Sequence, residues 1–342
     1  MKKTAVVILN WNGQKLLDKF LPTVLKHSLN EETEVVVADN GSTDNSVEYL
    51  TANFPDLPLI ELDENYGFAE GYNRAIAKVD AEYIVLLNSD IETTENWLEP
   101  MIDYMDEDRE VVAVQPKILD YKNKTYFEYA GASGGFIDRY GYPFCRGRIL
   151  GNVEEDKGQY DDIVPIFWAT GAALCIRKRD YEEAGGLDGR FFAHMEEIDL
   201  CWRLNARGKK IMVIPQSVIY HVGGASLAAE SPWKTYLNFR NNLLMLYKNL
   251  PKEKFISVFI IRVFLDMLAM GHLVVQGKLK NAWAVVKSHY DFHKMKPDFY
   301  NNRKENLEKR VEKIVSTRHT KTILWGYYLR GEKTYDSISR KK

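Results

Sequence analysis

Apolar residues in the first part of this chain come in short unbroken runs, each closed by polar residues and separated from the next by other spacing. Residues 4–10 and 34–39 are two such runs, and between them Leu16, Leu17, Phe20, Leu21, Val24 and Leu25 recur as one face of a helix. Leu59–Leu62 gives a short third strand, residues 68–79 a helix, and residues 83–87 a fourth strand. The fourth run shows no alternation of apolar with polar residues, as expected of a strand covered on both faces. Strands alternating with helices predict an α/β fold with a doubly wound sheet.

Residues 111–119 predict another strand, after which 120–165 loses regular periodicity and gains glycine and tyrosine, the pattern of a substrate-contacting insertion or a lid. Tyr129, Tyr140 and Tyr142 lie there, placed to pack the loop down or to stack on a sugar ring. Residues 166–177 return to a buried strand, Glu196 opens a helix on which Asp199 and Arg203 can pair, and 211–214 form a last strand before Pro215. From Trp233 onward the spacing is helical. Residues 255–277 are long enough to span a bilayer, but Arg262, Asp266, His272 and Gln276 interrupt them. A helix packed on the domain, or lying in a membrane interface, is therefore expected, with Arg262 and Asp266 one turn apart. The chain divides into a catalytic part, 1–230, and a helical, basic extension, 231–342.

Open α/β sheets carry their chemistry at strand C-termini. Those ends are Asn10-Trp11-Asn12, Asp39-Asn40-Gly41, Asn65-Tyr66-Gly67 and Asn88-Ser89-Asp90, converging on one rim. A nucleotide suits that rim, yet the chain has neither a GxG nor a GxxxxGK[ST] sequence, which disfavours dinucleotide and Walker-type cradles. A phosphate held without such a cradle needs another counter-charge, and Asp90 with the Asn88 amide oxygen offers hard ligands for Mg2+ or Mn2+. The same residues also make an ordinary strand-ending turn. Asp39 is placed to accept hydrogen bonds from a base or ribose, or to cap the turn that begins at Ser42. Glu196 and Glu197 sit at a helix start, where the dipole favours acids and where a glutamate can deprotonate an incoming hydroxyl. His221 is either structural or a partner of Asp90 in a metal site.

Composition adds little to the fold: 342 residues, 45% apolar and 27% charged, allow one large domain with a smaller annex. Cys145, Cys175 and Cys201 form no CxxC pair, which fits a reducing, cytoplasmic compartment. Met1-Lys2-Lys3 resembles the start of a signal peptide, but Asn10 and Asn12 break the apolar run, so it reads as the first strand. Charge is more telling. Residues 278–342 hold 17 Lys or Arg against 7 Asp or Glu, a balance of +10, which leaves 29 against 41, or −12, for the rest. A basic tail behind an acidic domain points to a polyanionic neighbour, expected to be an anionic membrane surface and not nucleic acid.

Taken in order, Val-Ile-Leu-Asn-Trp-Asn-Gly, Val-Ala-Asp-Asn-Gly-Ser-Thr-Asp, Asn-Tyr-Gly-Phe-Ala-Glu-Gly-Tyr-Asn (65–73), Leu-Asn-Ser-Asp, Gly-Ala-Ala-Leu, Gly-Gly-Leu-Asp, Glu-Glu-Ile-Asp-Leu-Cys-Trp-Arg and His-Val-Gly-Gly-Ala-Ser resemble the family 2 glycosyltransferases of the GT-A fold, in a bacterial rhamnosyltransferase-like branch. The likeness spans residues 4–245 and implies a mixed, mostly parallel sheet flanked by helices. It implies a nucleoside-diphosphate sugar donor, contacted by Asn10, Asn12, Asp39, Asn65, Asn73, Asn88 and Arg240, and a glycan or lipid-linked acceptor. It further implies Mg2+ or Mn2+ on Asp90 and His221, and Glu197 as the base, with Glu196 as its substitute. Two positions depart from the family: Asn88 replaces an aspartate, removing one anionic ligand, and Glu197 replaces an aspartate, lengthening the base by a methylene. A processive polymerase is disfavoured by the lack of a QxxRW motif. A sugar nucleotidyltransferase, or an inactive sugar-binding or scaffold protein on the same fold, is the rival reading.

Overall fold

The structure, a computed structural model, describes residues 2–223, 231–311 and 316–339. Gly224 and the residues after it in the last motif, the 230/231 division and the final three residues of the basic tail lie outside the described residues.

The strands are β1 (Lys2–Asn10), β2 (Thr33–Asn40), β3 (Leu59–Leu62), β4 (Ala81–Asn88), β5 (Ile91–Thr93), β6 (Val111–Asp120), β7 (Gly135–Ile137), β8 (Pro143–Cys145), β9 (Arg148–Ile149), β10 (Asn152–Val153), β11 (Val164–Pro165), β12 (Ala173–Arg177) and β13 (Lys210–His221). The helices that matter for the sheet are α1 (Gln14–Ser28), α2 (Ser46–Asn53), α3 (Gly67–Ile76), α4 (Glu99–Glu107), α5 (Lys178–Glu183) and α6 (Glu196–Ala206). The main sheet runs β11-β13-β6-β12-β4-β1-β2-β3, with β5 on β13. β1 pairs in parallel with β2 and β4, β2 with β3, and β6 with β13, whereas β12 lies antiparallel between β4 and β6. This is the mixed, mostly parallel GT-A arrangement.

Register fixes the rim. Leu9 lies opposite Asn88 and Asn10 opposite Asp39, so the C-terminal ends of β1, β2 and β4 stop level with one another. On the other side of the sheet, His221 at the end of β13 lies opposite Ile91, next to Asp90. α1 covers the sheet with Leu17, Phe20, Leu21 and Val24, all buried at the spacing of one helix face.

Three sequence expectations shift. β13 does not stop at Ile214; the register shift between Ile214 and Val218 is a bulge that takes up Pro215, which has no N–H for the ladder, and pairing then resumes to His221. Of residues 166–177 only Ala173–Arg177 form a ladder strand, because Thr170 and Gly171 turn the chain at the rim. The 120–165 insertion is not irregular: β7 to β10 form a small antiparallel sheet whose strands of two or three residues are too short to show a period.

After the sheet come α7 (Pro232–Asn249), α8 (Lys252–Val275), α9 (Leu279–Met295), α10 (Tyr300–Glu308), α11 (Ile323–Leu329) and α12 (Tyr335–Ser339). α7 brings Leu243, Leu244, Met245 and Leu246 into the same apolar cluster as β4 and α6. α11 and α12 return to the small sheet, where Tyr335 packs on Phe136 and Phe144 and the Thr322 hydroxyl donates to Asp138 at 2.9 Å.

Candidate active site

At the end of β4, Asp90 is buried and its Oδ1 lies 3.1 Å from Nε2 of His221, while Asn88 Nδ2 lies 3.3 Å from the same nitrogen. The opposite ring nitrogen, Nδ1, lies 3.5 Å from Oε1 of the buried Glu128. Burial favours the neutral ring, but the two flanking carboxylates outweigh it and raise the imidazole to about 10. Nδ1 makes no hydrogen bond, Glu128 standing beside it as an ion-pair partner, and Nε2 faces Asp90. Asp90, with His221 once Nε2 gives up its proton, fits a divalent cation that draws its other ligands from phosphate and water. Among the described residues, no group of three or more His, Cys, Asp and Glu is gathered closely enough to hold a metal by itself.

The β1 and β2 ends form a second cluster. Asp39 Oδ1 accepts from Asn10 Nδ2 at 2.9 Å and from the Ser42 hydroxyl at 2.6 Å, and Oδ2 accepts from the Ser42 N–H at 2.8 Å. The turn-capping role weighed for Asp39 is therefore present in the geometry. Asn12, in the left-handed region at φ +50°, accepts from the Thr43 N–H at 2.7 Å, and Asn10 Oδ1 is buried without a hydrogen-bond partner. An orphaned acceptor at the rim suits a ligand N–H.

Asn65 accepts from Asn40 Nδ2 at the β2 end at 3.1 Å, and Asn73 and Arg240 bond the main chain of other loops. Asn65 Oδ1 accepts from the Gly67 N–H at 2.9 Å and starts α3. Asn73 bonds both main-chain groups of Leu187, at 2.8 and 3.0 Å, tying α3 to the turn before α6. Arg240 is buried and donates to the carbonyls of Arg190 and Phe191. Their polar atoms support the loops that border the rim.

The two glutamates follow a loop that breaks backbone rules. Phe192, His194 and Met195 have φ of +67°, +70° and +74°, a conformation rare and costly for residues with side chains. The loop is held from outside: the Asn241 amide donates to the carbonyls of Phe191, Ala193 and His194 at 2.9, 2.9 and 2.8 Å. From this loop α6 starts with Glu196 buried and Glu197 partly exposed, each with an unpartnered Oε2. Burial and mutual repulsion raise Glu196 well above the usual carboxylate range, and burial raises Glu197 to about 7. Glu197 lies against Gly171, where an added Cβ would stand 3.8 Å from its own. The neighbouring Ala172 accepts from the Asn88 N–H at 3.0 Å, so Glu197 is at the same strand end as Asn88 and Asp90. His194 completes the loop with an unpartnered Nε2 and an imidazole that burial, then the nearby Lys234, lowers to about 4.

Sequence reasoning expected Asp90, His221 and Glu197 on one rim and named Asn241 with Arg240 as a helix motif and Ser42 as a turn residue, but missed Glu128 and the clamp that Asn241 makes. Ser42 belonged to a turn whose serine hydroxyl was open to inspection. Glu128 lies in the insertion, where no period places a side chain.

Comparison with known proteins agrees with this geometry. The profile of Glycosyl transferase family 2 matches residues 5–158. An N-acetylglucosaminyl-diphospho-decaprenol L-rhamnosyltransferase of Mycobacterium tuberculosis is 24% identical over 230 residues, 63% of this chain and 75% of that protein. Among solved structures, GalNAc-T7 with UDP, GalNAc and Mn2+ superposes with a TM-score of 0.57 at 15% identity, over 74% of this chain and 49% of that one. S. aureus TarS 1-349 in complex with UDP gives 0.56 at 14% identity, over 90% and 88%. The chain spans about half of the GalNAc-T7 chain and most of TarS 1-349. With residues 5–158 matching glycosyl transferase family 2 and with rhamnosyltransferases among its relatives, the chain is a glycosyltransferase.

Proposed function

We propose that the protein is a metal-dependent, inverting glycosyltransferase that moves a sugar, with rhamnose the leading candidate, from a nucleoside-diphosphate donor to a hydroxyl of a glycan or lipid-linked glycan. Its place is cell-surface polysaccharide synthesis, peripheral on the cytoplasmic face of the membrane, with residues 1–230 binding donor and catalysing and 231–342 as the extension. The observation that carries the reading is the joint placement of Asp90, His221 and Glu197 at the β4 end of the rim.

In this mechanism Asp39 and the orphaned Asn10 oxygen receive N–H or O–H groups of the nucleoside. Asp90 and His221 would hold Mg2+ or Mn2+, with Asn88 beside them and Glu128 next to the His221 ring; such an ion would supply positive charge against the departing diphosphate. Glu197 accepts the acceptor's hydroxyl proton as that oxygen bonds to the anomeric carbon and the bond to the diphosphate oxygen breaks. The unusual basicity of Glu197, compared with an ordinary carboxylate, suits it to that proton.

The test is nucleoside diphosphate release from a panel of nucleotide sugars, with Mn2+ and a glycan acceptor present. Asp90→Ala and Glu197→Gln are each expected to lower turnover by about 100-fold or more. Full activity in both variants refutes the assignment.

A further inference from the structure

The α8–α9 hairpin has one face bound to the domain and one face bound to nothing in the described chain. On the bound face Arg262 and Asp266 are buried and 3.1 Å apart, Arg262 donates to the Tyr140 carbonyl at 3.0 Å and to the Asn242 side chain, and His289 of α9 closes on Asp266 at 3.0 Å. These are the charges that interrupt the long apolar segment. Each is spent on an internal partner, so α8 cannot cross a bilayer without stripping a buried ion pair from its carbonyl and carboxylate partners.

The free face is apolar. Ile256, Ile260, Phe264 and Leu268 of α8 recur every fourth residue, and the paired α9 exposes Leu279 and Trp283; all six are between 49% and 66% exposed. A stripe of large side chains of this kind is unusual on a soluble surface. Exposed Lys252, Lys254 and Lys280 stand at the ends of the two helices that carry it. Apolar side chains along one helix face, bordered by lysines, match the interior and the headgroup layer of an anionic bilayer respectively. The hairpin is also joined to α7, where Asn281 donates to the Thr235 hydroxyl at 2.9 Å, and Ala284 shares with Tyr236 and Leu237 a small cluster against which Phe192 and Ala193, just ahead of Glu196, are packed.

We propose that the outer face of α8 and α9 is a monotopic docking surface for an anionic phospholipid bilayer, with α8 lying in the interface plane instead of crossing it. The proposal deepens the lipid-linked acceptor reading and rests on it only for the purpose of the docking, which would bring the catalytic loop to the membrane surface where such an acceptor is held.

The experiment is flotation of the full chain with vesicles of phosphatidylethanolamine and phosphatidylglycerol, compared with phosphatidylcholine vesicles. The parent is expected to float with the anionic vesicles. Ile260→Asp combined with Phe264→Asp, and separately Trp283→Ala, are expected to lower the floated fraction, the double variant by about tenfold. Thermal unfolding of each variant confirms that it is folded. Charge reversal at Arg330 and Lys333, in the basic tail, is expected to leave most of the binding. Three results overturn the proposal: a parent that stays at the bottom, binding abolished by tail reversal but untouched by the α8 substitutions, or a parent dimer in sedimentation that the α8 substitutions split. Because the assay contains neither donor nor acceptor, its failure leaves the transferase reading to be judged separately by nucleoside diphosphate release.

Discussion

Glu197 carries two opposing consequences of one environment. Burial raises it from an ordinary 4.5 to about 7. Turnover should therefore rise with pH through about 7 as the carboxylate form fills, and a pH–rate profile of the parent checks this. Stability moves the other way. A group whose folded pKa is raised binds its proton more tightly in the folded state, so its contribution is fully present below about pH 4.5 and is lost as pH climbs through about 7. Glu197→Gln removes that loss. The variant should be inactive yet more stable than the parent at pH 8, by about 1–3 kcal/mol, with the gap closing near pH 4; denaturant unfolding at the two pH values measures it.

Asn241 acts through the loop and not on the reacting atoms. Its amide has two hydrogens for three carbonyls, so one hydrogen is shared, and all three acceptors belong to the segment with left-handed φ at Phe192, His194 and Met195. Asn241→Ala takes this donor from the Ala193 and His194 carbonyls, while the Phe191 carbonyl keeps Arg240, at a cost of about 1–3 kcal/mol. The expected signature is a fall in kcat with the donor KM little changed, because the proposed donor contacts at the β1 and β2 ends are not among the groups that Asn241 holds. An unchanged kcat would show that the loop holds its shape unaided.

At the scale of elements, what was legible depended on length and period. β1, β2 and β4 carried unbroken apolar runs and α1 a full helical period, and all appear close to their expected bounds. The β7–β10 sheet did not, since no strand of two or three residues can display an alternation. Pro215 hid the second half of β13, and with it the reason His221 reaches Asp90: the bulge lets the strand continue to the rim. The strand-end acids were legible because a polar residue closing an apolar run marks a position in space. Glu128 and Asn241 were not, because their roles depend on which loop folds over which, a relation that spacing along the chain does not encode. The basic tail was only half informative: Arg303 is buried and donates to the Tyr247 carbonyl, and Arg318 donates to the Arg139 carbonyl at 2.6 Å, so part of the excess charge fastens the tail to the domain.

The molecule as a whole is stitched by buried charge. Lys248 of α7 is 2% exposed and its ammonium lies 2.7 Å from both Asp188 and Asp199, while Arg203 holds Asp199 from the other side at 3.0 Å. This network ties α7 to α6, which carries Glu197, and to the turn before it. Removing one member strands the others: Lys248→Met should lower stability by about 3–5 kcal/mol, measured by denaturant unfolding. A loss below about 1 kcal/mol would mean that Arg203 and Arg190 suffice for the two aspartates.

Tyr335 sits edge-on to Tyr160 and against Phe136 and Phe144, closing the aromatic layer of the small sheet from the far end of the chain. During synthesis that layer therefore waits, one wall open to water, until Tyr335, far downstream of the small sheet, has been translated. A ribosome that stalls before then would leave the insertion unfinished even though every residue of the rim had already emerged.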